Sequence, residues 1–143
     1  MAIIHPQLLQ DSIVLGTFPL CHVLLMNDAR YPWLILVPDR NDIREIYALE
    51  VQDQVQLIQE SSVVAEQIAL GFKAHKINIA ALGNVVPQLH LHHIVRYTHD
   101  AAWPTPVWGK HPSLHYMPDQ LIQTKEKMMA LLKGRLMFKP VSV

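Results

Sequence analysis

The hydrophobic residues of the first 40 positions form short runs rather than a helical period. The segments SIVLGTF (12–18), CHVLLMN (21–27) and WLILVP (33–38) are rich in β-branched and large apolar residues. Such runs are typical of β-strands. The pattern therefore predicts three strands, the first two of which pair across the short connection between them.

The period of the pattern changes after residue 40. Apolar residues recur at every third or fourth position across 51–72, beginning with Val51, Val55 and Ile58, and polar residues separate them. This spacing predicts one long amphipathic helix of about 22 residues, because positions three and four apart share one helix face. A shorter helical turn is expected around 42–49.

The remaining elements complete an α+β pattern. KINIAAL (76–82) and QLHLHHIVR (88–96) predict a fourth and a fifth strand, and the segment from 118 to about 134 predicts a closing helix. Three strands, a long helix and two further strands favour an antiparallel sheet with helices packed on one face. The chain has 143 residues, of which 50% are hydrophobic. We therefore expect a single domain over 1–143.

Composition and charge exclude several classes of function. Twelve Lys and Arg balance twelve Asp and Glu, so there is no broad positive field to attract a nucleic acid polymer. The apolar runs are far shorter than the roughly 20 residues that span a bilayer. Cys21 is the single cysteine, and the chain opens with no signal-like stretch, so we expect a cytoplasmic protein.

An irregular segment over 101–117 contains Trp103 and Trp108 among several prolines. Two indole rings carry too much apolar area to be left in water. They either cap the core of the monomer, or pack across a subunit boundary or line a pocket.

The fifth predicted strand is rich in histidine. Successive side chains of a strand point to opposite faces, so one face carries Gln88, His90 and His92 and the other carries Leu89, Leu91 and His93. The leucines mark the face that packs on the core, where His93 is expected to be a buried histidine. His90 and His92 then stand side by side on the polar face and can act together on one small group.

Three uses of this histidine pair remain open from the residues alone. The rings could be merely solvated or hydrogen-bonded. They could bind a metal with a third ligand from His99, His111 or His115, although the spacing specifies no such site. The third use is nucleophilic catalysis, in which a neutral imidazole nitrogen attacks phosphorus. The preceding loop favours this use, because backbone N–H groups at Gly83 and Asn84 could bind phosphate oxygens.

The segment GNVVPQLHLHHI (83–94) resembles the motif of the histidine triad (HIT) nucleotide hydrolases and transferases. Their motif is His-φ-His-φ-His-φ-φ, where φ is apolar, after a Gly-Gln-Ser/Thr-Val segment. Gln88, His90 and His92 occupy the three triad positions, and the order of strands and helix across 12–97 is also similar.

The resemblance implies a role for each matching residue. His90 would be the nucleophile that receives a nucleoside monophosphate, and His92 would bind the phosphate near the scissile bond. Asn27 would bind the ribose hydroxyls, and Leu25 would lie against the base. The loop of Gly83, Asn84 and Val85 would contact the phosphate. It further implies a five-stranded sheet with helices and a homodimer with one continuous ten-stranded sheet, and we expect no metal and no cofactor.

Three positions depart from the motif of the family. Gln88 replaces the first histidine, so that position can orient a neighbour by a hydrogen bond but cannot titrate near neutral pH. Val85 lacks the hydroxyl of Ser or Thr, and Asn84 is one methylene shorter than Gln. We therefore expect a nucleotide hydrolase or nucleotidyl transferase that acts at the α-phosphate, for example on dinucleoside polyphosphates. The alternative is a nucleotide-binding module with little or no chemistry.

Overall fold

The computed structural model describes residues 2–141 and contains one six-stranded sheet flanked by helices. All of its strand pairings are antiparallel. The strand order across the sheet is β4-β5-β3-β2-β1-β6. In chain order the elements are α1 (Pro6–Asp11), β1 (Ser12–Thr17), β2 (Cys21–Met26), β3 (Trp33–Pro38), α2 (Val51–Phe72), β4 (Lys76–Ala80), β5 (Leu91–Arg96), α3 (Pro118–Leu132) and β6 (Lys139–Pro140).

Two elements of the structure were not predicted because each is too short to show a period. The helix α1 spans six residues, and its start is set by Pro6 and by His5, whose Nδ1 accepts a hydrogen bond from the backbone of Gln7 at 3.0 Å. The strand β6 has two residues and pairs with the end of β1 at the edge of the sheet. The helical turn expected around 42–49 is a single 3-10 turn at Ile46–Ala48.

The fifth strand begins later than the alternation predicted. β5 starts at Leu91, where its pairing with β3 begins at Leu36, so Gln88 to His90 precede the ladder. The alternation of side chains nevertheless extends back from the strand to Leu89. Leu89 and Leu91 lie in the core beside α2, whereas His90 and His92 lie on the other face. The histidine pair therefore shares one face, as the sequence predicted.

The two faces of the sheet are covered differently. The face that carries Leu34 and Leu36 packs on Leu57, Val64 and Ile68 of α2 in the larger apolar cluster. This stripe differs from the predicted one, because Val51, Val55 and Ile58 are more than half exposed. The opposite face packs on α1 and on the irregular segment through a second cluster that includes Leu8, Trp33, Ile35, Val86 and Val107.

The irregular segment is fixed to the end of β5 by a buried ion pair. Arg96 donates to Asp100 at 2.8 Å, and both side chains are almost fully buried. The same carboxylate accepts hydrogen bonds from the backbone of Tyr97, Ala102 and Trp103. Within residues 2–141, no helix is both long and apolar enough to cross a membrane.

Candidate active site

A cleft of about 280 Å³ opens on the face of the sheet opposite α2. We call it the histidine cleft. Its walls come from α1, from the centre of the sheet, from the loop before β5 and from the irregular segment, through Gln7, Leu8, Asp11, Met26, Ile35, Leu82, Gly83, Asn84, Val85, Val86, His90, His92 and Trp108.

His90 is held by the backbone of the residue two positions before it. Its Nδ1 lies 2.7 Å from the carbonyl oxygen of Gln88. Since a carbonyl oxygen only accepts, Nδ1 carries the proton and Nε2 keeps a free lone pair. The ring of His90 meets that of His92 edge-on, with 4.9 Å between the ring centroids. The strand thus presents one imidazole whose second nitrogen is free to act as a base or a nucleophile.

His92 is held in the opposite tautomer by Trp33 at the start of β3. The indole Nε1 of Trp33 lies 3.0 Å from Nδ1 of His92, and because indole N–H only donates, Nδ1 of His92 accepts. Burial, reinforced by the neighbouring His90 and His93, lowers the pKa of His92 to about 3. A neutral ring with Nδ1 as acceptor carries its proton on Nε2, so His92 can donate a hydrogen bond to a ligand.

His93 belongs to the core and not to the histidine cleft. It is fully buried, and its Nε2 lies 2.7 Å from the hydroxyl of Ser61 on α2. Burial lowers the pKa of His93 to about 4. This placement agrees with the expectation of a core histidine on the leucine face.

The side chain of Gln88 points away from His90, in contrast to the orienting role suggested for it. Its amide oxygen accepts from the backbone of His5 at 2.8 Å, and its amide nitrogen donates to the carbonyl of Ile3 at 3.0 Å. The residue lies before the ladder of β5, so strand alternation does not fix its direction. Gln88 contributes its carbonyl to His90 and uses its side chain to hold the N-terminal segment.

Leu25 and Asn27 do not line the histidine cleft. Leu25 is fully buried in the cluster beside α2, because alternation along β2 turns its side chain to that face. The neighbouring Met26 faces the histidine cleft instead. The side-chain oxygen of Asn27 accepts from the backbone of Tyr116 at 2.9 Å, which ties the irregular segment to the end of β2. Leu25 is therefore not exposed to the histidine cleft, and Met26 is the residue of β2 that lines it.

The loop predicted to contact phosphate does border the histidine cleft through Gly83, Asn84 and Val85. Gly83 has φ +72, a conformation in which any other side chain would be strained. Val85 is 86% exposed, and its aliphatic side chain offers no hydrogen bond in place of the missing hydroxyl. Backbone N–H groups and the amide of Asn84 are the polar groups that this loop can offer.

The two tryptophans of the irregular segment have different surroundings. Trp108 lines the histidine cleft, with its ring centroid 5.0 Å from that of His92 and 5.8 Å from that of Trp33. Trp103 packs edge-on against His75 and under the guanidinium of Arg96. Sequence reasoning missed Trp33 and left the role of Trp108 open, because their contacts join segments that are distant along the chain.

Of the three histidines considered as a third metal ligand, neither His99 nor His111 lines the histidine cleft. His111 lies 2.7 Å from the guanidinium of Arg30 and 2.9 Å from the hydroxyl of Tyr31, and His99 stacks on Tyr97. Over residues 2–141, no three His, Cys, Asp or Glu side chains are grouped so that they could hold a metal ion.

The fold is α+β. Its cleft contains two adjacent imidazole rings in opposite tautomers, His90 and His92, beside the loop that carries Gly83. The model of the HIT domain family matches residues 7–99, and the chain belongs to this family, whose members bind nucleotides. A search of curated proteins gave no match.

Solved structures of bacterial histidine triad proteins are similar over nearly their whole length. A histidine triad protein from Marinobacter aquaeolei VT8 is 51% identical, with 93% of this chain and 97% of that chain covered and a TM-score of 0.91. One from Bradyrhizobium japonicum is 44% identical, with 90% and 96% covered and a TM-score of 0.87. One from Sinorhizobium meliloti is 42% identical, with 91% and 96% covered and a TM-score of 0.88.

Proposed function

We propose that the protein is a nucleotide hydrolase or nucleotidyl transferase that acts at the α-phosphate through a covalent intermediate on His90. The hydrogen bond between Nδ1 of His90 and the carbonyl of Gln88 is the observation that carries the proposal. It leaves Nε2 with a free lone pair, and a neutral imidazole of this kind is a competent nucleophile. The cytoplasm remains the expected compartment.

The chemistry proceeds in two displacements. Nε2 of His90 bonds to the α-phosphorus while the bond from phosphorus to the leaving group breaks and the leaving group departs with the bonding electrons. Nε2–H of His92 donates to a phosphate oxygen near the scissile bond. In the second step water, or another acceptor, attacks phosphorus, loses its proton to solvent, and breaks the bond between phosphorus and nitrogen. The apolar walls at Leu8, Met26 and Trp108 suit a nucleobase.

The nucleophile is tested by the change His90→Ala. We expect the variant to lose turnover of dinucleoside polyphosphates and nucleoside phosphoramidates by at least a thousandfold, because the covalent route is removed. Intact-mass spectrometry of the quenched wild-type reaction should show an adduct heavier by one nucleoside monophosphate, and the variant should show none. His99→Ala, which changes an exposed histidine outside the cleft, is the control. Turnover by His90→Ala at the control rate would show that His90 is not the nucleophile.

A second candidate function is a nucleotide-binding module without significant chemistry. The placement of Gln88 favours it, because the first triad position neither titrates nor points at His90. Calorimetry with AMP or GMP, beside a sensitive hydrolysis assay, separates the two. Saturable binding with no product at any pH would favour the module.

We also propose that two subunits pair into one continuous sheet. β4 is an edge strand, so within residues 2–141 its outer side pairs with no other strand. The outer face of α2 exposes Val51, Val55 and Ile58, and apolar side chains of this kind are common in subunit interfaces. Analytical ultracentrifugation should report a dimer at micromolar concentration, and a monomer across that range would contradict the pairing.

A further inference from the structure

The lining of the histidine cleft includes a carboxylate that the proposed reaction does not use. Among the residues of 2–141 that line the cleft, Asp11 is the only acidic one, and the other polar side chains are the imidazoles of His90 and His92 and the amides of Gln7 and Asn84. An ionised carboxylate only accepts hydrogen bonds, and it repels the negative charge of a phosphate. In a bound nucleotide, Asp11 would therefore face a donor of the nucleoside.

The carboxylate of Asp11 is held on one oxygen and open on the other. The backbone is fixed, since its carbonyl accepts from the backbone of Asn27 at 3.0 Å and the next residue, Ser12, pairs with Met26 in the sheet. Gln7, one turn earlier in α1, donates from its amide to Oδ2 at 2.9 Å. Among residues 2–141, Oδ1 has no hydrogen-bond partner and the carboxylate has no ion pair. An acceptor is thus available to a ligand in the cleft.

The distance from Asp11 to the histidine pair matches the far edge of a base. The sheet order β5-β3-β2-β1 puts three strand spacings between β5, which carries His92, and β1, which begins directly after Asp11. Three spacings of about 4.8 Å place the two backbones roughly 14 Å apart. Side chains that extend into the cleft from both ends shorten this span to about the length of a nucleoside monophosphate. The ribose would lie in the middle, near Ile35 of β3.

Guanine is the purine whose far edge complements a carboxylate. Its N1–H and its 2-amino group are adjacent donors, and the two oxygens of a carboxylate can accept both, because Oδ2 keeps a second lone pair beside its bond from Gln7. Adenine instead presents a lone pair on N1, which a carboxylate repels. A site that accepts hydrogen bonds from its ligand discriminates against an analogue without the donors, since its acceptors are then left unpaired.

We infer that Asp11 binds the Watson–Crick edge of the base and that the histidine cleft prefers guanine nucleotides. The inference rests on the proposed function, because it assumes that the phosphate lies at His90. The apolar walls at Leu8, Met26 and Trp108 would contact the ring faces, which all purines share. Selection among purines would therefore come from Asp11, and Gln7 would be a positioning residue for its carboxylate.

Calorimetry with GMP, IMP and AMP tests this contact, because the three ligands share phosphate and ribose and differ only in the base. IMP keeps N1–H and lacks the 2-amino group, whereas AMP lacks N1–H. We expect the wild type to bind GMP about tenfold more tightly than AMP, with IMP between them. In Asp11→Ala, GMP should weaken to the level of AMP, and AMP should stay within about twofold. Asp119→Ala, the same change at an exposed position of α3 outside the cleft, is the control.

A second variant separates base recognition from a structural effect on α1. Asp11→Asn keeps the size of the side chain and an oxygen that can accept from Gln7, and it presents an amide donor to the base. This donor suits N1 of adenine and opposes N1–H of guanine, so the variant should bind AMP at least as tightly as GMP. A structural defect would instead weaken both ligands together.

The inference and the proposed function fail in different ways. Loss of the GMP preference in both Asp11→Ala and Asp11→Asn, with AMP retained, supports the guanine contact. It is overturned if either variant keeps the preference, if Asp119→Ala loses it as well, or if GMP and AMP weaken equally in Asp11→Ala, as a contact with the shared ribose predicts. Wild-type protein that binds the three ligands equally also overturns it and leaves the proposed function standing. Wild-type protein that binds none of them overturns the proposed function itself.

Discussion

At the scale of single residues, the two imidazoles of the histidine cleft differ because their Nδ1 atoms meet opposite partners. Nδ1 of His90 donates to the carbonyl oxygen of Gln88, whereas Nδ1 of His92 accepts from the indole N–H of Trp33. A hydrogen-bond acceptor on Nδ1 leaves Nε2 free to attack, and a donor on Nδ1 leaves Nε2 able to donate. In the proposed reaction Trp33 would therefore be a positioning residue that acts through His92.

The change Trp33→Phe removes the indole donor and keeps an aromatic ring. We expect His92 to populate both tautomers, since Nδ1 loses the group that required it to accept. Nitrogen-15 NMR of the imidazoles should show Nε2-protonated His92 in the wild type and averaged shifts in the variant, and kcat should fall about tenfold or more with KM less affected.

Trp103→Phe is the matched control for this change, since Trp103 packs on His75 and Arg96 away from the histidine cleft. If both variants keep the wild-type nitrogen shifts of His92, Trp33 does not set its tautomer.

The pair His90 and His92 could be predicted because one alternating strand carries both, and the leucines between them identify the face. Leu25 could not be placed correctly from the motif, since a shift of one position along a strand exchanges the two faces of the sheet. Gln88 lies outside the ladder, so no periodicity constrains its direction. Trp33 comes from a neighbouring strand, and its partner 59 positions away has no local signal.

At the scale of elements, the irregular segment depends on the buried pair of Arg96 and Asp100. Burial by itself raises the pKa of Asp100, but hydrogen bonds from Arg96 and from three backbone N–H groups lower it to about 2. The carboxylate therefore remains charged under all ordinary conditions. It closes the turn from which the segment carrying Trp108 begins.

Removal of this carboxylate by Asp100→Ala should destabilise the protein by about 3 to 5 kcal/mol, because Arg96 would be left buried without its partner. Denaturant unfolding monitored by tryptophan fluorescence measures the loss. Asp119→Ala, at an exposed position in the first turn of α3, should cost less than about 1 kcal/mol. Comparable losses in the two variants would show that the pair does not anchor the segment.

Element prediction succeeded where a period extends over several residues and failed where a contact defines the element. The 22 residues of α2 repeat a helical spacing over six turns, although its buried stripe runs through Leu57, Val64 and Ile68 and not through Val51 and Val55. Both stripes are apolar, and only the packing against the sheet distinguishes them. α1 and β6 depend on a cap and on a two-residue pairing.

At the scale of the whole molecule, the two faces of the sheet differ in what they carry. The face toward α2 and α3 buries the larger apolar cluster, and the opposite face carries the histidine cleft. β5 contributes to both, since His92 faces the cleft and His93 faces α2. Two adjacent residues of one strand therefore place neutral imidazoles on both sides of the sheet.

These two buried imidazoles predict a specific response of stability to pH. In the unfolded chain a histidine takes up a proton near pH 6.5, whereas the folded protein keeps His92 neutral to a pKa of about 3 and His93 to about 4. Unfolding thus takes up protons between about pH 6.5 and pH 4. The free energy of unfolding should be fully retained above that window and fall by a few kcal/mol as the pH decreases through it.

Denaturant unfolding at intervals from pH 7.5 to pH 4 measures this decline. In His92→Gln one of the two proton-uptake sites is absent, so the decline should be shallower, by up to about 1.4 kcal/mol per pH unit. His99→Gln changes an exposed ring and should decline as the wild type does. The carboxylate of Asp100 does not contribute in this window, since its stabilisation is lost only below about pH 4, toward its folded pKa of about 2. A wild-type free energy that stays constant from pH 6.5 to pH 4 would show that the two rings are not held neutral by the fold.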